Sequence, residues 1–160
     1  LIDIVYNKGT STVIILDNSI TGMTGHQDNP ATGYTIKGEQ TKQVDLKKLC
    51  EAVGVERVRI CDPYDLEEFE KAVREEVAAK EPSVIIARRP CALLRYVRHG
   101  EPLGIDREKC RMCRMCMRLG CPAIVDRGEH LEINTALCVG CELCTRVCRF
   151  DAIEKAGVFQ

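Results

Sequence analysis

The chain has 160 residues, with 23 basic and 24 acidic side chains and a formal net charge of -1. This length suits one or two small domains, and the balanced charge argues against a dedicated nucleic-acid-binding protein, which usually carries a basic excess. No apolar run approaches the roughly 18–20 residues that span a bilayer, so no membrane partner is expected. Eleven cysteines without a visible export signal predict a cytoplasmic location and metal ligation instead of disulfides.

The first 105 residues alternate apolar runs with amphipathic stretches, a pattern typical of a doubly wound parallel α/β sheet. The chain opens on LIDIVYN, which resembles the end of a helix, so we expect a fragment of a longer polypeptide or a trimmed one. Buried parallel strands are predicted at 11–17 and 81–89, and a short alternating strand is predicted at 57–62. Helices are predicted at 44–53 and 65–80, the second capped by Asp65.

Helical periodicity selects the residues expected to face the core. In the first predicted helix these are Val44, Leu46, Leu49 and Val53. In the second they are Leu66, Phe69, Val73 and Val77. Three isolated cysteines, Cys50, Cys61 and Cys91, are predicted to be small buried hydrophobic residues.

A polar, glycine-rich loop, LDNSITGMTGHQDNPATG, follows the first predicted strand at 16–33. Ligands of open α/β sheets bind at the carboxyl ends of the strands. Asn18 offers an amide oxygen there, and the following backbone can offer carbonyl oxygens, which suits Mg²⁺. Gly22 and Gly25 permit close backbone approach. The alternative is an ordinary connecting loop without a ligand.

The pattern changes near residue 105, where an internal repeat begins and predicts a small α+β ferredoxin-like domain at 106–160. Shifting the chain by 28 residues superimposes the first three cysteines of CRMCRMCMRLGCP on those of CVGCELCTRVC. We call these the first ladder (110–121) and the second ladder (138–148). A short hairpin is predicted between them at 127–134.

The ladder spacings, C-x2-C-x2-C-x4-CP and C-x2-C-x2-C-x3-C, favour two [4Fe–4S] clusters over zinc, whose cysteines usually come in separated pairs. In two-cluster ferredoxins the fourth cysteine of each ladder binds the other cluster. On that pattern one cluster is held by Cys110, Cys113, Cys116 and Cys148. The second is held by Cys138, Cys141, Cys144 and Cys121. The first ladder has one extra residue, which Gly120 can absorb in a turn with positive φ.

VIILDNSITGMTGHQ in an α/β domain, followed by a ladder ending in GCPAI, resembles the C-terminal portion of the indolepyruvate ferredoxin oxidoreductase alpha subunits over essentially the whole chain. The resemblance implies oxidative decarboxylation of arylpyruvates to aryl-acetyl-CoA and CO₂. It also implies thiamine diphosphate, Mg²⁺ and coenzyme A, with electrons passing through two [4Fe–4S] clusters to ferredoxin. A beta subunit is the expected partner.

The same resemblance assigns residues in the loop after the first strand. Asn18 and the backbone carbonyl of Ile20 match Mg²⁺ ligands of the diphosphate motif. Thr21, Gly22 and Thr24 are the further cofactor-binding candidates. The opening Gly-Asp of the motif and the pyrimidine-binding domain are expected upstream of Leu1. His26 is the one catalytic candidate, and a hydrogen-bonded loop histidine is its alternative.

Two other functions remain open from the sequence. One is a related oxidoreductase that acts on pyruvate or branched-chain 2-oxoacids. The other is a non-catalytic electron-transfer subunit. Five arginines in or beside the ladders either offset the negative charge of the clusters or attract an acidic ferredoxin. They are Arg111, Arg114, Arg118, Arg146 and Arg149.

Overall fold

The computed structural model describes residues 1–159 and divides the chain into two compact units, Leu1–Val97 and Arg98–Gln160. The first contains α1 (Ile2–Tyr6), β1 (Thr12–Asp17), α2 (Leu46–Ala52), β2 (Arg57–Cys61), α3 (Leu66–Ala78) and β3 (Ser83–Arg88). The second contains β4 (Leu103–Ile105), β5 (Ile124–Asp126), β6 (Leu131–Ile133), α4 (Leu143–Val147) and β7 (Ile153–Lys155), with 3-10 helices at Cys116–Leu119 and Ala156–Phe159. The division falls before the predicted boundary at 105/106, because β4 pairs with β7 in the second unit.

The first unit is built on a parallel sheet in the order β1-β3-β2. The central strand β3 is buried along Ser83–Ala87, as expected for a β-branched run covered on both faces. The edge strand β1 differs from its prediction as a buried strand. Its side chains at Ile14 and Leu16 are exposed, Leu16 by 79%.

Helices pack on both faces of this sheet. Val84 and Ile86 of β3 pack with Cys50 of α2, while the intervening Ile85 packs with Ala72 of α3. Alternate residues of one strand therefore face opposite helical layers. The predicted fold class, a partial doubly wound α/β sheet followed by a small second domain, is confirmed.

The helices begin where the sequence predicts caps. Asp45 accepts hydrogen bonds from the backbone N–H groups of Lys47 and Lys48, and Asp65 accepts one from Glu68. The predicted buried faces are partly wrong. Leu49 in α2 and Val77 in α3 are exposed, because the packed stripes run instead through Leu46, Cys50 and Val53 and through Phe69, Ala72, Val73 and Glu76.

Glu76 is the one acidic residue among the buried side chains described, and its side chain is 1% exposed. Arg57 donates two hydrogen bonds to its carboxylate at 2.7 and 3.0 Å. Arg59 lies 2.7 Å from the same carboxylate. Two neighbouring charges of β2 therefore pair with the carboxylate that α3 buries.

The second unit contains two antiparallel pairs, β4 with β7 and β5 with β6. Its core combines short aliphatic side chains with two ladder thiols, Cys116 and Cys144. The hairpin predicted at 127–134 lies at 124–133 instead, because its first strand is the apolar Ile124–Asp126 segment. Within residues 1–159, no helix is long and apolar enough to span a membrane.

Candidate cofactor sites

Asn18 lies immediately after β1, at the carboxyl edge of the sheet. Its backbone carbonyl accepts a hydrogen bond from Cys91 N–H at 2.9 Å, so the segment after β3 holds the segment after β1. Its side-chain Oδ1 accepts a hydrogen bond from Ile20 N–H at 3.1 Å. This local turn brings the Ile20 backbone N–H to the Asn18 side chain and leaves the amide oxygen a second lone pair.

The loop after Ile20 closes on itself. Thr21 and Gln27 exchange backbone hydrogen bonds of 3.0 and 3.3 Å. The Thr21 hydroxyl accepts a hydrogen bond from Asn29 Nδ2 at 3.1 Å, and the Thr24 hydroxyl donates to Gln27. Thr21 and Thr24 therefore each make a side-chain hydrogen bond inside the loop, and Gly22 is half-buried beside the Asn18 side chain.

His26 and Cys91 meet at the same edge, with 4.0 Å between His26 Nε2 and Cys91 Sγ. His26 is exposed and has a positive φ of 61°. Cys50 and Cys61 are buried as predicted. Cys91 is only half-buried, because it follows β3 on the loop side of the sheet edge.

A cavity of about 200 Å³ lies at this edge and is lined by residues that follow all three strands. Arg89 lies over the ring of Tyr64 at 3.9 Å and pairs with Asp62 at 2.6 Å. The sequence did not predict that Arg89, Tyr64 and Cys91 lie at this edge. The available signal was their position directly after strands whose carboxyl ends meet at one edge.

The two ladders repeat their backbone conformation as well as their cysteines. Met112 and Arg114 have φ of 52° and 58°, and the residues 28 positions later, Gly140 and Glu142, have 63° and 60°. The turns that enter the ladders also match, since Cys110 N–H donates to Asp106 O and Cys138 N–H donates to Asn134 O, both at 3.0 Å. Alternating φ signs turn successive N–H groups toward one concavity, a conformation that suits anionic iron–sulfur clusters.

Strand pairing brings the end of each ladder to the beginning of the other. Cys148 comes shortly before β7, which pairs with β4, the strand that precedes Cys110. Cys121 comes shortly before β5, which pairs with β6, the strand that precedes Cys138. A cavity of about 20 Å³ is lined by Cys110, Cys113, Cys116 and Cys148 together.

The electrostatics of the buried thiols follow the same grouping. Burial raises the pKa of the Cys116 thiol, and nearby Cys110 and Cys148 raise it further. Burial raises the pKa of Cys144 to about 11, with Cys141, Cys138 and Cys121 adding to the effect. A cationic centre among them would favour the thiolate forms that metal ligation requires.

The chemistry of the donor sets fits two clusters. Leu103 N–H donates to Cys138 Sγ at 3.4 Å, the kind of hydrogen bond that tunes an iron–sulfur centre. Gly120 has the positive φ of 66° that the longer first ladder predicted. Within residues 1–159, no three His, Cys, Asp or Glu side chains lie close enough together to hold one metal ion. The four thiols around a cubane each bind a different iron, so they stand farther apart.

Comparison with protein families agrees with both halves of the chain. Residues 1–87 match the thiamine pyrophosphate enzyme family, C-terminal TPP binding domain. Residues 131–154 match the 4Fe-4S binding domain. The chain therefore belongs to the thiamine pyrophosphate enzymes and joins their cofactor domain to an iron–sulfur module. The predicted cofactors thiamine diphosphate and iron–sulfur clusters are confirmed at the level of these domains.

Comparison with individual proteins identifies relatives that match almost the whole chain. The chain is 38% identical over 161 residues to indolepyruvate oxidoreductase subunit IorA of Archaeoglobus fulgidus, covering 98% of this chain and 26% of that protein. It is 35% identical to the same subunit of Pyrococcus abyssi, covering 97% and 25%. The resemblance predicted from the loop and the ladders is confirmed. The chain spans about a quarter of the length of these relatives.

Proposed function

We propose that the chain is the cofactor-binding and electron-transferring part of a 2-oxoacid:ferredoxin oxidoreductase that decarboxylates arylpyruvates such as indolepyruvate. The products are an aryl-acetyl-CoA and CO₂, and two electrons pass through the ladders to ferredoxin. The observation that carries this proposal is the presence, in one chain, of a thiamine pyrophosphate binding domain and two cysteine ladders. A companion beta subunit and a cytoplasmic location complete the proposal.

In this proposal the carboxyl edge of the first sheet holds Mg²⁺ and the diphosphate. Asn18 Oδ1 and the Ile20 carbonyl bind the cation. Thr21, Gly22 and Thr24 lie beside the diphosphate and contact it. The hydrogen bond from Cys91 N–H fixes Asn18, and Asp17 is fixed by Arg88 at 2.8 Å. His26 is the candidate catalytic side chain, because its imidazole can accept or donate a proton at this edge. Thiamine diphosphate, when bound, supplies the carbanion chemistry of decarboxylation.

The ladders take the two electrons in this proposal. Cys110, Cys113, Cys116 and Cys148 bind one [4Fe–4S] cluster, and Cys138, Cys141, Cys144 and Cys121 bind the other. The shared cavity of the first set and the thiol neighbours of Cys144 support this division. Backbone N–H groups of the two ladders stabilise the anionic clusters.

The test uses the whole oxidoreductase containing this chain, purified with its companion subunit. We expect ferredoxin reduction that requires an arylpyruvate, coenzyme A and thiamine diphosphate together. Values of kcat/KM for indolepyruvate, pyruvate and a branched-chain 2-oxoacid then decide the substrate class. Activity highest with pyruvate or the branched-chain acid would replace the arylpyruvate assignment.

A second candidate is a non-catalytic electron-transfer subunit. A segment of 44 residues, 26% of this chain, is 43% identical to hydrogenase-4 component A of Escherichia coli. This candidate predicts iron without any bound thiamine diphosphate. Equilibrium dialysis of thiamine diphosphate with and without Mg²⁺ separates the two candidates.

A further inference from the structure

The first ladder brings a cluster thiol to the surface beside basic side chains. Cys113 is exposed, whereas the other seven ladder cysteines are buried or half-buried. Arg111 and Arg114 line the same cavity as Cys113, and so does the exposed ring of Phe150. Arg149 is exposed and stands between two further lining residues, Cys148 and Phe150. We call Arg111, Arg114, Arg149 and Phe150 the first-ladder rim.

Three basic residues of this unit outside the ladders are neutralised by carboxylates. Lys109 pairs with Glu154 at 2.5 Å, Arg127 with Glu132 at 3.1 Å, and Lys155 with Glu101 at 2.9 Å.

Two of the three rim arginines have no such ion pair within the described residues. Arg114 pairs with Asp126 at 2.8 Å, but within residues 1–159 no carboxylate lies within 4 Å of Arg111 or Arg149. Arg111 and Arg149 therefore present positive charge without an ion pair next to an aromatic ring, a composition enriched at protein interfaces.

The second ladder offers a less suitable surface for an anionic partner. Its Cys144 is buried, and its Cys138 and Cys141 are half-buried. Glu142 is exposed inside that ladder and offsets the positive charge of the exposed Arg146. The rate of electron transfer falls steeply with distance. A carrier protein is therefore expected to accept electrons from the cluster whose ligand is most accessible. Both charge and accessibility favour the first ladder.

We infer that the first-ladder rim is the docking surface for an acidic one-electron carrier protein, and that electrons leave through the cluster next to Cys113. This inference rests on the proposed function. In each encounter one electron passes from the reduced cluster, which is oxidised, to the carrier, which is reduced, and no bond or proton changes place. Weak redox encounters use small interfaces, and charge complementarity raises their association rate.

The opposing explanation is that the rim arginines only offset the charge of the clusters. The two explanations differ in their response to salt. Exposed charges that steer a partner are screened beyond a Debye length of about 8–10 Å near physiological ionic strength. Arginines that act only on the cluster leave the salt dependence of association unchanged.

The experiment uses the assembled oxidoreductase with the substitutions Arg111→Gln and Arg149→Gln together, and Arg127→Gln as a matched control outside the rim. Each complex is reduced with dithionite and mixed with an oxidised acidic ferredoxin over a range of ionic strengths. We expect the Gln pair to lower the association rate about tenfold at low salt and to flatten its salt dependence. Equilibrium binding of oxidised ferredoxin should weaken by a similar factor. Arg127→Gln should match the wild type.

Iron content and reduction of an uncharged dye are measured beside the ferredoxin rates. Replacement of both arginines by Lys should restore the wild-type salt slope. If the Gln pair loses iron, Arg149→Gln alone is used, because Arg149 follows the last cysteine of the second ladder. A partly flattened salt dependence of the association rate is then expected.

An unchanged slope in the Gln variants, or dissociation of the companion subunit on size exclusion, overturns the inference. Because dithionite supplies the electrons, failure of 2-oxoacid turnover contradicts the proposed function without affecting this measurement.

Discussion

At the scale of single residues, Gly140 occupies a position of the second ladder, between Cys138 and Cys141, that has no room for a side chain. It has a positive φ of 63°, and a Cβ placed there would lie 2.5 Å from the Gly100 carbonyl carbon and 2.7 Å from the Glu101 oxygen. Both neighbours are backbone atoms, which cannot move aside as a flexible side chain can. The close approach also carries a hydrogen bond from Gly100 N–H to Val139 O at 3.1 Å.

Gly140→Ala should therefore displace the second ladder and lose most of the iron of one cluster. Gly120→Ala is the matched control, because Gly120 also has a positive φ but a methyl group there would meet nothing within 4 Å. We expect it to keep its iron and to lose about 1 kcal/mol of stability from backbone strain. The iron and sulfide content per chain and the thermal unfolding are measured for both variants and the wild type. Full iron in Gly140→Ala would contradict the steric argument.

Asn18→Ala should weaken thiamine diphosphate binding by the whole enzyme at least about tenfold, since it removes a proposed Mg²⁺ ligand. The variant should keep its iron, because the ladders lie in the other unit. Asn7→Ala serves as the control, because it removes an exposed amide whose Nδ2 donates to the Asp3 carbonyl at the end of α1. The cofactor affinity is measured across a Mg²⁺ titration. Equal affinity in Asn18→Ala and wild type would remove Asn18 from the site.

At the scale of elements, the sequence predicted what local patterns carry. The run VIIA at 84–87 is buried on both sides of the sheet, and Asp45 and Asp65 cap their helices. The shift of the α3 core face toward Ala72 and Glu76 was not predicted, since an acidic residue is normally assigned to the solvent side. That face depends on Arg57 and Arg59, which come from another strand.

The pairing of strands that lie far apart in the sequence could not be predicted from hydrophobic periodicity. The strands of the second unit have three residues each, too few to show an alternating pattern. The pairing of β4 with β7 joins segments at opposite ends of the unit. It places β4 in the second unit. In the candidate thiamine site Asn18 was predicted from one loop, whereas Cys91 and Arg89 depend on the strand order.

Glu76→Gln should destabilise the first unit by about 1–3 kcal/mol, because it leaves the two arginines of β2 without their buried anion. Glu75→Gln is the matched control on the same helix, since Glu75 also pairs with Arg59 but is 40% exposed. Its effect should stay within about 0.5 kcal/mol. Both variants are tested by urea unfolding of the first unit, monitored by circular dichroism. Equal losses in the two variants would show that burial of Glu76 adds nothing.

The strand pairing of the second unit predicts which cluster each fourth cysteine serves. Cys148→Ser should damage the cluster of Cys110, Cys113 and Cys116, and Cys121→Ser should damage the other. Iron counts and EPR spectra of the reduced proteins distinguish the two clusters. Loss of the same EPR signal in both variants would refute the exchange of fourth ligands between ladders.

At the scale of the whole molecule, the two units have different sources of stability. The first has an aliphatic core between a sheet and helices on both faces, built around Val84, Ile85 and Ile86. The core of the second includes the ladder thiols Cys116 and Cys144 beside aliphatic side chains. Small domains with little core depend on bound metal for folding, so we expect the clusters to supply much of the folding free energy of residues 98–160.

Removal of iron by oxidation and chelation should therefore unfold the second unit and leave the first folded. The buried thiols reinforce this expectation at alkaline pH. Their pKa values are raised in the folded state, to about 11 for Cys144. The unfolded chain thus ionises first as pH rises, and any residual apo structure is fully stabilised only below the ordinary thiol pKa near 8.5. Hydrogen exchange followed by peptide mass spectrometry reports each unit separately. Protection of β4 to β7 that survives complete iron loss at pH 9 would show that the aliphatic core alone holds this unit together.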